Sequence, residues 1–320
     1  MRVLKSPKIA VGMGLFLFFT VIAIIGPSIA PYDPLKLVGQ PWLHPSGKFW
    51  LGTTQQGQDV YSQLIVGTRS TLVISLVSGA IATVLSVIIG VSAGYFGGIS
   101  DNLLSMLANI FLVLPALPFL IVINSYLPSG GKSDSWLLAG IISITGWAWG
   151  ARVLRAQTLS MRSRDFVDAA RISGEKSWRI ILFEIVPNLV PVIAASFVFT
   201  VLYAMGTYVA LSFVGAIDPN EPWSWGSMLF WSQSNTAAQV GAWYWFAAPG
   251  VCVALLGTSL VLLNFGIDEF INPRLRAAGL SRKGLKAAGV RSANTLGLTP
   301  VVRQHSRAVT APAPIIEETV

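Results

Sequence analysis

Hydrophobic residues along this chain come in long unbroken runs, not in the alternation of strands or the one-sided stripes of surface helices. A membrane span needs about 20 mainly apolar residues, and six runs qualify: 9–30, 71–96, 103–127, 136–154, 189–213 and 245–267. The expected fold is an all-α membrane protein with six transmembrane helices. Gly94, Gly97 and Gly98 predict a tight turn between the second and third runs. Pro115 and Pro118 predict a kink in the third, since proline removes a helical donor and crowds the preceding turn. Ahead of the second run, the Pro-, Gly- and Gln-rich stretch 31–70 predicts an outer loop with a short amphipathic helix at 59–65.

One polar stretch, 168–188, stands apart from these runs. From Arg164 a short helix is expected, with Phe166, Ala169 and Ala170 on one face. Ser173-Gly174 ends it, because glycine tolerates the left-handed conformation that closes helices. A second helix follows, with Trp178, Ile181, Leu182 and Ile185 in an i, i+3, i+4, i+7 stripe and Pro187 closing it. Two readings fit the pattern. One is a helix–turn–helix knob in water, shaped for a partner's groove; the other is a pair of amphipathic helices lying on the membrane surface.

Charge fixes an orientation. Only 11% of residues are charged, against about a quarter in soluble domains, which agrees with a membrane protein. The net charge of +8 is set by topology and does not point to nucleic acid. Arg2, Lys5 and Lys8 precede the first run, seven basic residues lie between Arg152 and Arg179, and eight between Arg274 and Arg307. The opposite loops hold only Lys36, Lys48, Arg69 and Lys132. By the positive-inside rule, both termini and the 168–188 loop face the cytoplasm of a multi-pass plasma-membrane protein. The single cysteine, Cys252, excludes an intramolecular disulfide. The basic lead and first run have no small-residue cleavage site, so a retained helix is expected.

Candidate chemistry is sparse. Gly130–Ser133 reads GGKS, but a phosphate-binding loop needs glycine at the place Tyr126 occupies. No ATP site of the chain's own is expected. The interiors of the runs hold no Asp, Glu, Lys or Arg, whereas ion-coupled carriers keep ionisable groups at membrane depth. Energy must then arrive through a partner, and the polar knob is the place for it to dock. Asn109 and Asn124 within the runs, and Trp225, Trp231 and Trp243 of the last outer segment, are candidate contacts of a translocation path or outer loop. The cluster of Trp231, Trp243, Tyr244 and Trp245 reads first as an interfacial aromatic belt and second as stacking platforms for a sugar. His44 and His305 are the only histidines, and no metal site is expected.

Asp168-Ala169-Ala170, Gly174 and Pro187 resemble the EAA signature of ABC importer permeases: E-A-A, three residues, G, nine residues, I-x-L-P. Asp168 stands for Glu, Glu184 for Ile and Val186 for Leu. The stretch 51–72 resembles the pattern LGTDxxGRDVxSRLxxGxRxSL of peptide-importer permeases, with Thr54, Gln58 and Gln63 in place of charged or basic family residues. Its expected role is to cap the bundle. GYFGG with Asp101 and Leu114-Pro115 match too, as do Leu211-Ser212-Phe213, Gly215 and Trp225-Gly226. Asp268 and Pro273-Arg274-Leu275-Arg276 resemble the family's closing motif, with Asn272 for Asp.

The resemblance spans about 9–276 and implies the C-type permease of a dipeptide/oligopeptide/nickel-class ABC importer with the type I permease fold. It implies an N-terminal span and outer loop at 1–68 and a transmembrane domain at 69–270 with a coupling loop at 160–187. A cytoplasmic tail at 271–320, mostly disordered after 278, completes the division. Asp168, Ala169, Ala170, Gly174 and Pro187 would couple the chain to ATPase subunits. The implied partners are a homologous second permease, two ATPase subunits, an extracytoplasmic binding protein and the lipid bilayer. ATP and magnesium would be used by those partners, while this chain binds no cofactor and does no covalent chemistry. Small peptides are the implied cargo, with oligosaccharides or nickel as alternatives. A stand-alone carrier or channel, and a membrane scaffold, are readings from other classes.

Overall fold

The computed structural model describes residues 7–126 and 134–271. The GGKS stretch, the Pro273–Arg276 match and the expected tail lie outside the described residues, as does the side chain of Asp268. The described chain is built from helices: α1 (Pro7–Ile29), α2 (Val60–Phe96), α3 (Gly98–Val113), α4 (Ala116–Ser125), α5 (Ser135–Met161), α6 (Asp165–Ile172), α7 (Ser177–Arg179), α8 (Val186–Phe213), α9 (Trp225–Ser234) and α10 (Trp243–Ile271). Between α7 and α8 lies a π-helical turn, Ile180–Ile185, and the three run on as one helix from Ser177 to Phe213.

Five helices are long and apolar enough to cross a membrane, and α3 with α4 makes a sixth span bent by 90°. The bend has a local cause. Proline crowds the backbone of the residue before it and pushes that residue out of the helical region; Leu114, ahead of Pro115, is extended at ψ 129°. Of the two prolines expected to kink the run, Pro115 breaks it and Pro118 sits in the first turns of α4.

Helix α2 is the spine, touching α1, α3, α5, α8 and α10. It can do so because its faces are small and most of its buried hydroxyls bond within the helix. Thr71, Ser75, Thr83 and Ser86 each donate to the carbonyl four residues back, which lets polar residues sit in an apolar interior. Several also bond across. Ser86 Oγ donates to Trp147 O at 2.6 Å, Ser143 Oγ to Ser78 O at 3.1 Å, and Thr83 and Thr200 share a bond of 2.9 Å. At Gly90 the α5 backbone comes so close that an added Cβ would lie 2.4 Å from Ala151 O. Small residues at crossings and interhelical hydroxyl bonds are how helices associate where lipid removes the hydrophobic drive.

Three local expectations change. The stretch 59–65 is no separate helix: Asp59 caps the N-terminus of α2 by accepting from Ser62 N, and the helix runs unbroken for 37 residues. Gly94 is helical and packs on Thr158, while Gly97 and Gly98, at φ +68° and +56°, make the turn. The third correction, at Pro187, belongs to the site below.

The loop ahead of α2 caps one end of the bundle. Gln63 Nε2 donates to Pro34 O and to Gln58 Oε1, and Gln58 Nε2 to Leu35 O. Where the family pattern carries charge, neutral amides here tie the loop down. Tyr244 Oη donates to Leu43 O at 3.0 Å from the start of α10.

Candidate functional site

Helix α6 carries Asp165 and Asp168 in its first turn and Arg171 in its last, signs that suit the helix dipole. Asp168 pairs with Arg171 at 3.0 Å, one turn apart. The helix ends as the sequence predicts. Gly174 N donates to Arg171 O and Glu175 N to Ala170 O, with Gly174 at φ +79°. That is the Schellman closure, with glycine at the left-handed position. Gly174 is exposed, and a Cβ there would meet nothing within 4 Å.

The apolar face differs from the expected one. Val167 is wholly buried, with Phe166 and Ala170 packed around it, while Ala169 points away and is exposed. The small pair therefore divides its work: Ala170 faces the chain's own core and Ala169 faces out.

Pro187 does not close the second helix. Proline cannot donate to the carbonyl four residues back and its ring crowds that carbonyl. The turn before it widens instead, with Val186 N bonding to Ile181 O five residues back. A single π turn inserted in an α-helix is the usual form of this accommodation. It resets which residues face inward: Ile180 and Ile185, five apart, are buried, and Trp178 and Leu182 of the expected stripe are exposed. The second helix of the loop is thus continuous with span α8.

The loop's inner side rests on a core of Val91 and Tyr95 from α2, Leu154 from α5, Val167, and Ile180, Ile185 and Leu189 of the long helix. Polar contacts reinforce it. Arg171 stacks over the Tyr95 ring at 5.3 Å and donates to Arg162 O, and Arg162 donates to Gly94 O at 3.3 Å. Arg171, Arg162 and Tyr95 were not among the sequence-derived candidates. The Asp168–Arg171 spacing was a readable signal; the Tyr95 contact joins residues far apart in the chain and was not. The outer side exposes Ile172, Trp178, Leu182 and Phe183. Beside them a cleft of about 370 Å³ opens between Ala170, Glu175, Trp178, Phe183 and Glu184. The knob is apolar, rimmed by charge and backed by spans α2, α5 and α8.

The other candidates are scattered. Asn124 is buried on α4 and its side-chain amide donates to Ala216 O. Trp225 is wholly buried, its Nε1 donating to Leu64 O at 3.1 Å. Both hold the outer end of the bundle together. Trp231 is half-buried beside a cavity of about 200 Å³ shared with Gln56, Asn220, Asn235 and Trp245. Of the aromatic cluster, Tyr244 and Trp245 are buried and Trp243 is exposed. The two buried rings are core, so they serve neither as a belt nor as sugar platforms. Asn109 lies exposed on α3, bonded to Arg152 of α5. Among the described residues no three His, Cys, Asp or Glu side chains gather as a metal site.

Five long apolar helices and one bent pair gathered around α2, with a helical knob joined to α8, define a multi-span helical membrane protein. Residues 86–277 match the family of binding-protein-dependent transport system inner membrane components, and the chain belongs to that family. Residues 1–45 match the N-terminal TM domain of oligopeptide transport permease C. The chain is 30% identical to the dipeptide transport system permease protein DppC of Bacillus subtilis over 278 residues, 86% of this chain and 85% of that one. It is 29% identical to the oligopeptide transport system permease protein OppC of the same organism, over 85% of this chain and 88% of the relative. Identity to OppC of Mycobacterium tuberculosis is 27%, over 89% and 96%.

Proposed function

We propose that this chain is one of two permease subunits of an ATP-driven importer that moves small peptides across the plasma membrane by alternating access. The observation that carries the coupling is the continuity of the loop's second helix with α8 through the π turn at Ile180–Ile185. A displacement of α6 reaches the bundle by two routes. One is the packing of Val167 against Ile180, Ile185 and Leu189 of that long helix; the other is the Arg171–Tyr95 and Arg162–Gly94 contacts to α2. Asp168, Ala169 and Gly174, all exposed, form the face offered to an ATPase subunit, and Ala170 and Pro187 set its shape.

In this reading both termini are cytoplasmic and the loop before α2 faces outward, toward a binding protein. Two ATPase subunits bind and hydrolyse MgATP, and a homologous second permease completes the path. Closure of the ATPases drives the knobs together and opens the bundles outward; hydrolysis resets them. A peptide cargo is supported by the names of the relatives and by the match of residues 1–45.

Affinity purification of the tagged chain in mild detergent, with mass spectrometry of its companions, tests the assembly. A second permease, an ATPase pair and a binding protein are expected. Recovery of the chain alone, from membranes in which those proteins are present, would overturn the reading.

A further inference from the structure

Arg152 is the cation that the coupling machinery leaves unused. It lies on α5 nine residues before Met161, about 13 Å along the helix at 1.5 Å per residue. Its neighbour Arg155 is neutralised by a two-pronged bond to Asp101 of α3, one prong at 2.7 Å. Arg152 forms no ion pair among the described residues and donates only to the side-chain oxygen of Asn109. Arginine can only donate, so the amide oxygen must face it, which leaves the Asn109 NH₂ group as two free donors. Both side chains line a cavity of about 320 Å³ between α2, α3 and α5. Its remaining wall joins apolar and small residues, Ile89, Leu104 and Ala108 among them, to Ser105 and the paired Arg155.

With Arg155 matched by Asp101, the seat holds one net positive charge, the free donors of Arg152 and Asn109, and an apolar stretch of wall beside them. Arg152 is exposed two residues from the coupling-loop end of the 136–154 run, where lipid headgroups lie, and an oxyanion with a hydrocarbon tail answers both halves of the site. We propose that the groove binds the phosphodiester headgroup of an anionic phospholipid from the leaflet on the coupling-loop side, with an acyl chain against Leu104 and Ala108. Basic pockets between spans on the cytoplasmic side take lipid headgroups on the same physics. Bound there, the lipid clamps α3 to α5 directly above the Asp101–Arg155 pair. The inference rests on membrane embedding alone and not on the cargo or energy source.

The test uses the importer purified with its companion subunits. Dioleoyl-phosphatidylglycerol, dioleoyl-phosphatidylcholine and inorganic phosphate are titrated separately, and bound lipid is counted by native mass spectrometry. The wild type is expected to keep one phosphatidylglycerol more than Arg152→Gln, whose affinity at this seat falls about tenfold with loss of a charged bond. Arg152→Lys keeps the charge without the planar fork and should fall between; Asn109→Ala should lose less than Arg152→Gln. Equal retention in Arg152→Gln and wild type would overturn the site, as when a partner carboxylate occupies Arg152. Equal binding of phosphatidylcholine would reduce it to acyl packing. Displacement by inorganic phosphate would make it a soluble-anion seat. If Arg152→Gln fails to assemble, unchanged phosphatidylglycerol binding in Asn109→Ala overturns the proposal by itself.

Discussion

At Gly174 the backbone sits at φ +79° in open space. A larger residue there meets no neighbour in this chain, so it costs only the left-handed strain, roughly 1–2 kcal/mol. That is too little to unfold a six-span bundle, which separates coupling from folding. Gly174→Leu is expected to reach the membrane at normal levels and to abolish uptake, because its bulk stands where a partner must dock. Normal uptake at normal levels would remove the loop from the mechanism. Gly90 behaves oppositely. A Cβ there would press on the α5 carbonyl of Ala151, so Gly90→Leu should prevent α2 and α5 from meeting. Its membrane level, read by immunoblot against wild type, should fall sharply. The first glycine was legible from its place after the Asp168-Ala169-Ala170 run. Gly90 looked like one more small residue in an apolar run, since only the approach of a second helix gives it meaning.

The element that matters most is the long helix from Ser177 to Phe213. Pro187 reads in sequence as a stop, and the helix passes through it because one turn widens to five-residue bonding. That adjustment cannot be read from periodicity, which assumes one pitch throughout. The π turn also fixes the rotation of the knob about α8, as each residue turns an α-helix by about 100°. Deleting Leu182 should remove the wide turn and swing Ile180 off its core against Val167 and Tyr95. Expected is a chain that still inserts but whose importer has lost uptake and stimulated ATP hydrolysis together. Retained coupling in the deletion variant would show that the two halves of this helix move independently. The Arg171–Tyr95 contact gives a milder probe. Arg171→Met removes the cation from the Tyr95 ring while leaving that ring in its core, an interaction worth about 0.5–1 kcal/mol at exposed sites, and should lower uptake per ATP without abolishing it, read as the ratio of the two rates.

Over the whole molecule, the six runs predict the six spans, because length and apolarity alone decide what a bilayer accepts. They do not predict which span lies at the centre. In water an amphipathic face shows where a helix packs, but lipid tails are as apolar as a protein core, so the runs of α1, α8 and α10 carry little sign of their inner side. The buried hydroxyls of α2 were the available clue to the spine. The aromatic cluster was misleading in part: Tyr244 and Trp245 read in sequence as an interfacial belt yet are packed inside the cap. The seat around Arg152 also needed the fold, since it joins α2, α3 and α5.

In the proposed mechanism this bundle has no drive of its own and moves cargo only when force enters through the 165–187 knob. The deciding measurement is uptake of labelled peptide into vesicles, comparing the chain alone with the chain assembled with its second permease, ATPases and binding protein. Uptake is expected only in the full assembly and only with MgATP, and is lost again in Gly174→Leu. Uptake by the chain alone, without ATP, would contradict it and make the knob a surface helix pair.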